Sequence, residues 1–222
     1  ANPYVSWEKK RIFNVGFDAT LYKNLSINFD IFNEEQSGIL ALPYSRILGI
    51  VGASYGNILP LMNIGKVSNH GFEFKARYEG KIHDKISYFA EAGTWYAMSK
   101  VKEQGEDVQA ESYLYKKGNP VWKPIVLEAE GFYSVDDFDS NGKLKADLPQ
   151  PQFGHVAPGD IKYKDYNGDK IVNENDAHPV GNATVPAWNY MFSGGVKYKG
   201  FDLSVLFQGV AQRDIYLRGA SV

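Results

Sequence analysis

The sequence predicts an all-β chain whose antiparallel strands are joined by tight turns at one end and by long loops at the other. Three observations predict this. Six segments alternate apolar and polar residues with period two, the signature of strands. The composition is rich in Tyr (15), Phe (13) and Gly (22), which suits strands separated by turns. The links between segments fall into two length classes that alternate along the chain.

The strands are expected at about 8–21, 25–33, 66–79, 86–99, 188–199 and 201–213. In the first, Phe13, Val15, Phe17, Ala19 and Leu21 share a face opposite Asn14, Gly16 and Asp18. In the second, Leu25, Ile27, Phe29 and Ile31 oppose Asn28 and Asp30. The third sets Phe72, Phe74, Ala76 and Tyr78 against Glu73, Lys75 and Arg77. The fourth sets Ile86, Tyr88, Ala90 and Ala92 against Ser87, Glu91 and Gly93. In the fifth, Trp188, Tyr190, Phe192, Val196 and Tyr198 oppose Asn189, Ser193, Gly195 and Lys197. In the sixth, Phe201, Leu203, Val205 and Phe207 oppose Asp202, Ser204 and Gln208.

The short links are "YKN" (22–24), "EGKIHDK" (79–85) and "KG" (199–200), the last a two-residue hairpin with Gly where positive φ is needed. The long links are about 34–65 and 100–187. Successive links of a meander lie at opposite ends, so every short turn falls at one end. Loops beyond ~15 residues are uncommon in compact soluble domains. Short turns on one side and long loops on the other are the habit of outer-membrane barrels. A soluble sheet with one wet face shows the same alternation, with the apolar face as its core. Tyr78, Tyr198 and Phe201 beside the short turns, and Trp7, Tyr96 and Trp188 towards the other end, favour the barrel, which needs an aromatic girdle at each interface. Six strands are too few to close such a barrel. The chain therefore reads as part of a larger one.

Other classes are excluded by composition. The net charge of −2 gives no footprint for nucleic acid. Without cysteine there is no disulfide framework and no thiolate metal site. No nucleophile elbow, P-loop or dinucleotide fingerprint stands in context, and no carboxylate is singled out as a general acid, so no enzyme is expected. His70, His83, His155 and His178 lack paired metal spacing and read as surface or loop residues.

Five stretches resemble one family in the same order. "NPYVSWEKKRIFNVGFD" (2–18) is similar to the NP-x-L-x-WE…NVGLD segment of SusC-like TonB-dependent transporters. "NIGKVSNHGFEFKARYEG" (63–80) resembles their NxG…NxGxE strand, and "EGFYS" (130–134) their DGIFQ segment. "PGDIKYKDYNGDKIVNENDA" (158–177), followed by "VGN" and Pro186, resembles their PGDIKYKD-x-NGDG run. "YKGFDLSVLFQGV" (198–210) resembles their YKGFDLSxFFQG hairpin.

The resemblance implies a C-terminal portion of a 22-stranded barrel in the outer membrane of Bacteroidetes-type bacteria, with the plug domain absent from this chain and 34–65 and 100–187 as extracellular loops. It implies TonB-energised uptake of oligosaccharides or peptides, glycans included, together with a SusD-like surface lipoprotein. The lipid bilayer would face the apolar side. Glu73, Lys75, Arg77, Glu91 and Lys197 would line the lumen or meet the plug.

The run 165–176 has the oxygen-ligand spacing of a calcium loop. Asp165, Asn167, Asp169, Asn173 and Asp176 occupy positions 1, 3, 5, 9 and 12, with Ile171 at position 7 supplying its carbonyl and anchoring the loop inward. Lys170 replaces the usual Gly at position 6, and Asp176 replaces the usual Glu. Structural Ca2+ is one expectation. The other is a polar turn whose Asp and Asn side chains cap their own backbone. "DDFDSNGKLKAD" (136–147) reads as a solvated turn after a short helix. Tyr113, Tyr115, Trp122, Phe132 and Tyr133 are candidates for contact with a ligand or a lid, or for packing the loop. The apolar stretch 38–61 reads as an interaction surface. The rival to the importer is a soluble secreted β-sandwich that binds carbohydrate through a calcium-stiffened loop.

Overall fold

Period-two alternation becomes a six-stranded antiparallel sheet in the computed structural model, which describes residues 3–44, 59–83 and 85–217. Its strands are β1 (Lys9–Leu21), β2 (Leu25–Ala41), β3 (Met62–Ile82), β4 (Ile86–Glu103), β11 (Trp188–Tyr198) and β12 (Phe201–Ala211). They pair in the order β1-β2-β3-β4-β11-β12. Six short strands lie between β4 and β11: β5 (Ile125–Val126), β6 (Ala129–Phe132), β7 (Gln150–Pro151), β8 (Ile161–Tyr163), β9 (Ile171–Val172) and β10 (His178–Pro179). Among the described residues no helix is long and apolar enough to cross a membrane. Most of the apolar stretch at 38–61 lies outside the described residues.

The chain divides into two compact units. One takes in the residues up to Asp107, Lys117–Trp122 and those from Asn182 onward; the other is Val108–Lys116 with Lys123–Gly181.

In the first unit the register sorts side chains as the alternation requires. One row runs Phe17, Phe29, Phe74, Thr94, Tyr190, Gly209, and the next but one Ala19, Ile27, Ala76, Ala92, Phe192, Phe207. A one-residue slip would turn every one of these to the other face. Among the described residues this apolar face stays largely open. Phe192 on the interior strand β11 is 55% exposed, so exposure is not confined to the sheet edges. Leaving such side chains in water forgoes ~1.5–3 kcal/mol apiece, so this face fits an apolar surrounding.

The apolar stripe has the span that a bilayer sets. On β4 it runs from Ile86 to Tyr96 and on β11 from Trp188 to Tyr198, eleven residues each. At the usual strand tilt, about 9–11 residues cross the hydrocarbon core. Aromatic rings close both ends. Phe72, Tyr96 and Trp188 touch at 5.4–6.1 Å between centroids, and Tyr78 lies 6.1 Å from Tyr88 near the short turns. Trp7 stands in the unpaired stretch before β1.

The short turns take left-handed backbone. Tyr22 and Lys23 (φ 53° and 64°) and Lys199 and Gly200 (φ 46° and 84°) make the primed turns that match strand twist. The β1–β2 turn is tied to β3, Glu79 N–H donating to Asn24 O at 2.9 Å and Asn24 Nδ2 to Glu79 O at 2.7 Å.

Three strands outrun the alternation. β2 continues to Ala41, β3 begins at Met62 and β4 ends at Glu103, where strand ends near 33, 66 and 99 were expected. The extra residues mix polar ones (Glu34 to Ser37, Asn63, Lys100, Lys102) with apolar ones (Ile39, Leu40, Ile64, Val101) and show no period of two. A ladder is made by backbone groups, so it continues wherever a neighbour is present, whatever the side chains.

Candidate functional site

The polar face of β3 and β4 gathers charge by register. Lys75 and Arg77 are alternate residues on one face of β3, and Arg77 lies opposite Glu91 of β4. Glu91, whose side chain is 9% exposed, takes both: Lys75 Nζ at 3.3 Å and Arg77 Nη1 at 3.0 Å. Arg77 Nε also donates to Glu79 at 2.6 Å. The guanidinium carbon of Arg77 lies over Phe89, 4.2 Å from the ring centroid, a cation–π contact. Gly195 makes room for that ring, since a Cβ there would stand 2.5 Å from Phe89 Cε1.

The other two expected lumen residues are placed apart from this cluster. Lys197 pairs with Asp202 across the β11–β12 hairpin at 2.7 Å. Glu73 lies opposite Asp30 of β2, two carboxylates side by side, an arrangement unfavourable without a cation from elsewhere. All five share the polar face. The sequence reading missed the rings there: Phe32, Phe89 and Trp95 take polar-face positions in the register. Their signal is a run such as "YFA" (88–90), where alternation breaks without a turn residue.

In the second unit, loop 165–176 closes on its own side chains. Asp165 accepts N–H from Gly168 (2.8 Å) and Lys170 (2.9 Å). Asn167 accepts from Asp169 N (3.0 Å), and Asp169 from Ile171 N (2.8 Å). Asn173 accepts from Asn175 N at 2.7 Å. Asp176 is fully buried and accepts from Tyr166 N (2.8 Å), Asn167 N (3.3 Å) and Asn173 N (2.9 Å). Among the described residues no group of three or more His, Cys, Asp or Glu is gathered as a metal ion would need. The loop is held as a self-capped turn.

Two expectations about this loop are corrected. Ile171 is not the inward anchor, because its side chain is 37% exposed. Val172, 1% exposed, is the buried one, because the short β7–β9 pairing turns alternate residues inward. His178 is not a surface residue. It is buried, stacked on Tyr166 at 3.8 Å, with Nδ1 3.0 Å from Asp176 O and Nε2 3.2 Å from Glu128 Oε2. The Lys164 ammonium beside Glu128, with His178, holds that carboxyl below its ordinary range.

Lys170 sits at φ 66°, where a side chain crowds the backbone. Lys170→Gly is expected to stabilise the loop by about 0.5–1 kcal/mol, relief of strain outweighing the freer unfolded glycine. Slower hydrogen exchange at Gly168 and at the backbone amide of position 170 in the whole protein checks this.

The loop aromatics divide. Tyr133 is a core residue, 4% exposed and packed with Phe138 and Leu144, which corrects its reading as a ligand contact; burial pushes its phenol up. Tyr113 donates to Asn175 O at 2.6 Å and meets Tyr166 edge-on at 4.7 Å. The Tyr115 hydroxyl accepts from Gln109 N at 3.1 Å. Trp122, at φ 64°, and Phe132 are largely exposed. The segment after the short 3-10 turn Val135–Asp137 is the solvated turn expected: Asp139 accepts from Asn141 N and Lys143 N, which hold its carboxyl below the ordinary range.

Comparison with known proteins agrees with this architecture. No family model matches the chain. The chain is 22% identical over 226 residues to TonB-dependent receptor P3 of Formosa agariphila, covering 94% of this chain and 21% of that protein. It is 22% identical over 230 residues to TonB-dependent receptor P26 of the same organism, covering 97% and 21%. Among solved structures, the RagAB peptide importer in its open-open state matches with a TM-score of 0.65 at 18% identity, over 96% of this chain and 21% of that one. The closed-closed state matches with a TM-score of 0.62 at 16% identity, over 96% and 22%. The chain thus spans about a fifth of the length of the relatives it matches. Together the relatives and the neighbours support a segment of a SusC-like TonB-dependent transporter.

Proposed function

We propose, from this similarity, that the chain forms part of the barrel wall of an outer-membrane importer energised through TonB, with oligosaccharides or peptides as its solutes. One observation carries the reading: a largely open apolar stripe eleven residues long backs onto a charged face in the same sheet. A secreted sandwich would bury that stripe between two sheets. The relatives are named receptors and the structural neighbours importers, which favours a wall of a passage over an enzyme.

In this reading Glu91 holds Lys75 and Arg77 on the inner face, while Glu73 and Asp30 present paired negative charge to the plug or to a passing solute. The neighbours' name supports peptide as one solute class. A SusD-like lipoprotein over the long-loop end is part of the same proposal, with the exposed Trp122 and Phe132 as contact candidates. A structural cation at 165–176 is a separate proposal that rests on residue spacing alone.

The test is uptake of labelled oligosaccharide and peptide by cells carrying the full-length protein, with and without TonB. Energy-dependent uptake that falls several-fold in Glu91→Ala and Glu73→Ala, at unchanged abundance in the outer membrane, is the expected result. A protein that stays in solution without detergent, or uptake indifferent to TonB, would overturn the reading.

A further inference from the structure

The lipid-facing side of the sheet does not stop at the aromatic ring of Phe72, Tyr96 and Trp188. Beyond it at the long-loop end, β1–β4 run on, and the register sets out the residues in rows. The first row is Phe13, Asn33, His70, Met98. Next comes Arg11, Glu35, Ser68, Lys100, then Lys9, Ser37, Lys66, Glu103. On the same face, apolar residues therefore give way to neutral ones and then to charge. At the opposite end the last rows are Gly80, Tyr88, Val196, Leu203 and then Ile82, Ile86, Tyr198, Phe201, with no charge at all.

The charged rows carry an excess of cations. Both carboxylates are already paired, Glu35 with Lys66 at 3.0 Å and Glu103 with Lys117 at 3.1 Å. Lys9, Arg11 and Lys100 are exposed and have no carboxylate partner among the described residues. At strand spacing they spread ~7 Å along the sheet and ~14 Å across it. A recess of about 600 Å³ opens beside them; its lining holds Lys66 and Lys102 together with the paired carboxylates Glu35 and Glu103, and Ser37 and Asn63. Side chains that continue a lipid-facing stripe past its aromatic belt stand at headgroup depth, where the oppositely charged group on offer is a lipid phosphate.

We propose that this cationic overshoot docks the phosphate-bearing headgroup of a lipid in the leaflet on the long-loop side. The inference rests on the barrel reading above. It adds that the wall binds one lipid chemistry rather than being merely solvated by lipid. Lys9, Arg11 and Lys100 meet phosphate oxygens, and the recess receives the sugar or glycerol behind them.

The experiment uses the full-length protein in detergent. Its Tm is followed against three probes: lipid A with its phosphates, lipid A stripped of phosphate, and inorganic phosphate. Phosphorylated lipid A is expected to raise Tm, the stripped lipid and free phosphate much less. A combined Lys9→Gln, Arg11→Gln, Lys100→Gln variant should need at least ~10-fold more lipid for the same shift, since each such cation contributes severalfold near an anionic surface. Lys9→Arg with Lys100→Arg should keep the response, which shows that charge and not folding is read. An equal response to stripped lipid, or in the triple variant, overturns the proposal. A full response to inorganic phosphate alone overturns the lipid in favour of a free-phosphate site. Fractionation of the unaltered protein separates the two levels: if it does not sediment with the outer membrane the barrel reading fails, and if it does but ignores phosphate only the headgroup docking fails.

Discussion

Phe192→Lys should destabilise the full-length protein by about 2–4 kcal/mol, whereas Ser193→Lys, one residue along, should cost under about 1 kcal/mol. Phe192 lies near the middle of the eleven-residue stripe, between Ala92 and Phe207, and points to the open apolar face. A lysine there brings an ammonium to hydrocarbon depth with nothing to pair with, and the interface is too far for its stem to reach freely. Ser193 points to the other face, opposite Glu91, where charged side chains already gather and a cation stays in polar surroundings. Urea unfolding of the protein folded into lipid vesicles reads both values. Equal costs would mean that the two faces see the same medium, and the lipid assignment would fail.

That contrast was legible in the sequence because it depends only on period two. The faces of all six long strands follow from alternation, and the hairpin at 199–200 from its glycine. What alternation could not mark is pairing among polar residues. Glu34 to Ser37 lie in β2 because β1 and β3 flank them, and no side-chain pattern announces a neighbour. Rings on the polar face were missed for the converse reason: Phe89 belongs there because Arg77 lies over it and Gly195 makes way, both distant in sequence.

The second unit was less legible still. Its strands β5–β10 are two to four residues long, too short for any period to show. Its order comes from single side chains. The burial of His178 depends on Tyr166 and Glu128, twelve and fifty residues away, and nothing near "AHP" in the sequence signals it. The aspartates and asparagines of 165–176 did announce a tight turn. They could not announce whether their oxygens serve a cation or the backbone, since both uses need the same residues at the same spacing.

Asp176→Ala decides more about that loop than any other change, and it is expected to cost about 3 kcal/mol locally. The carboxylate is fully buried and accepts three backbone N–H groups from both ends of the turn, Tyr166 and Asn167 at one and Asn173 at the other. Alanine leaves those part-buried donors with no acceptor, so the turn should open from 165 to 176 and release Tyr166 from His178. Asp176→Asn keeps one oxygen and should cost roughly half as much. Hydrogen exchange in the full-length protein should show faster exchange at Tyr166 and Asn173 while the strands around Phe192 stay protected. The same experiment in millimolar calcium and then in chelator separates the two uses of the oxygens. If the backbone is the true partner, chelator changes nothing and only the substitutions open the turn. If chelator alone reproduces the Asp176→Ala pattern, a cation organises the loop and the self-capped arrangement is not its working state.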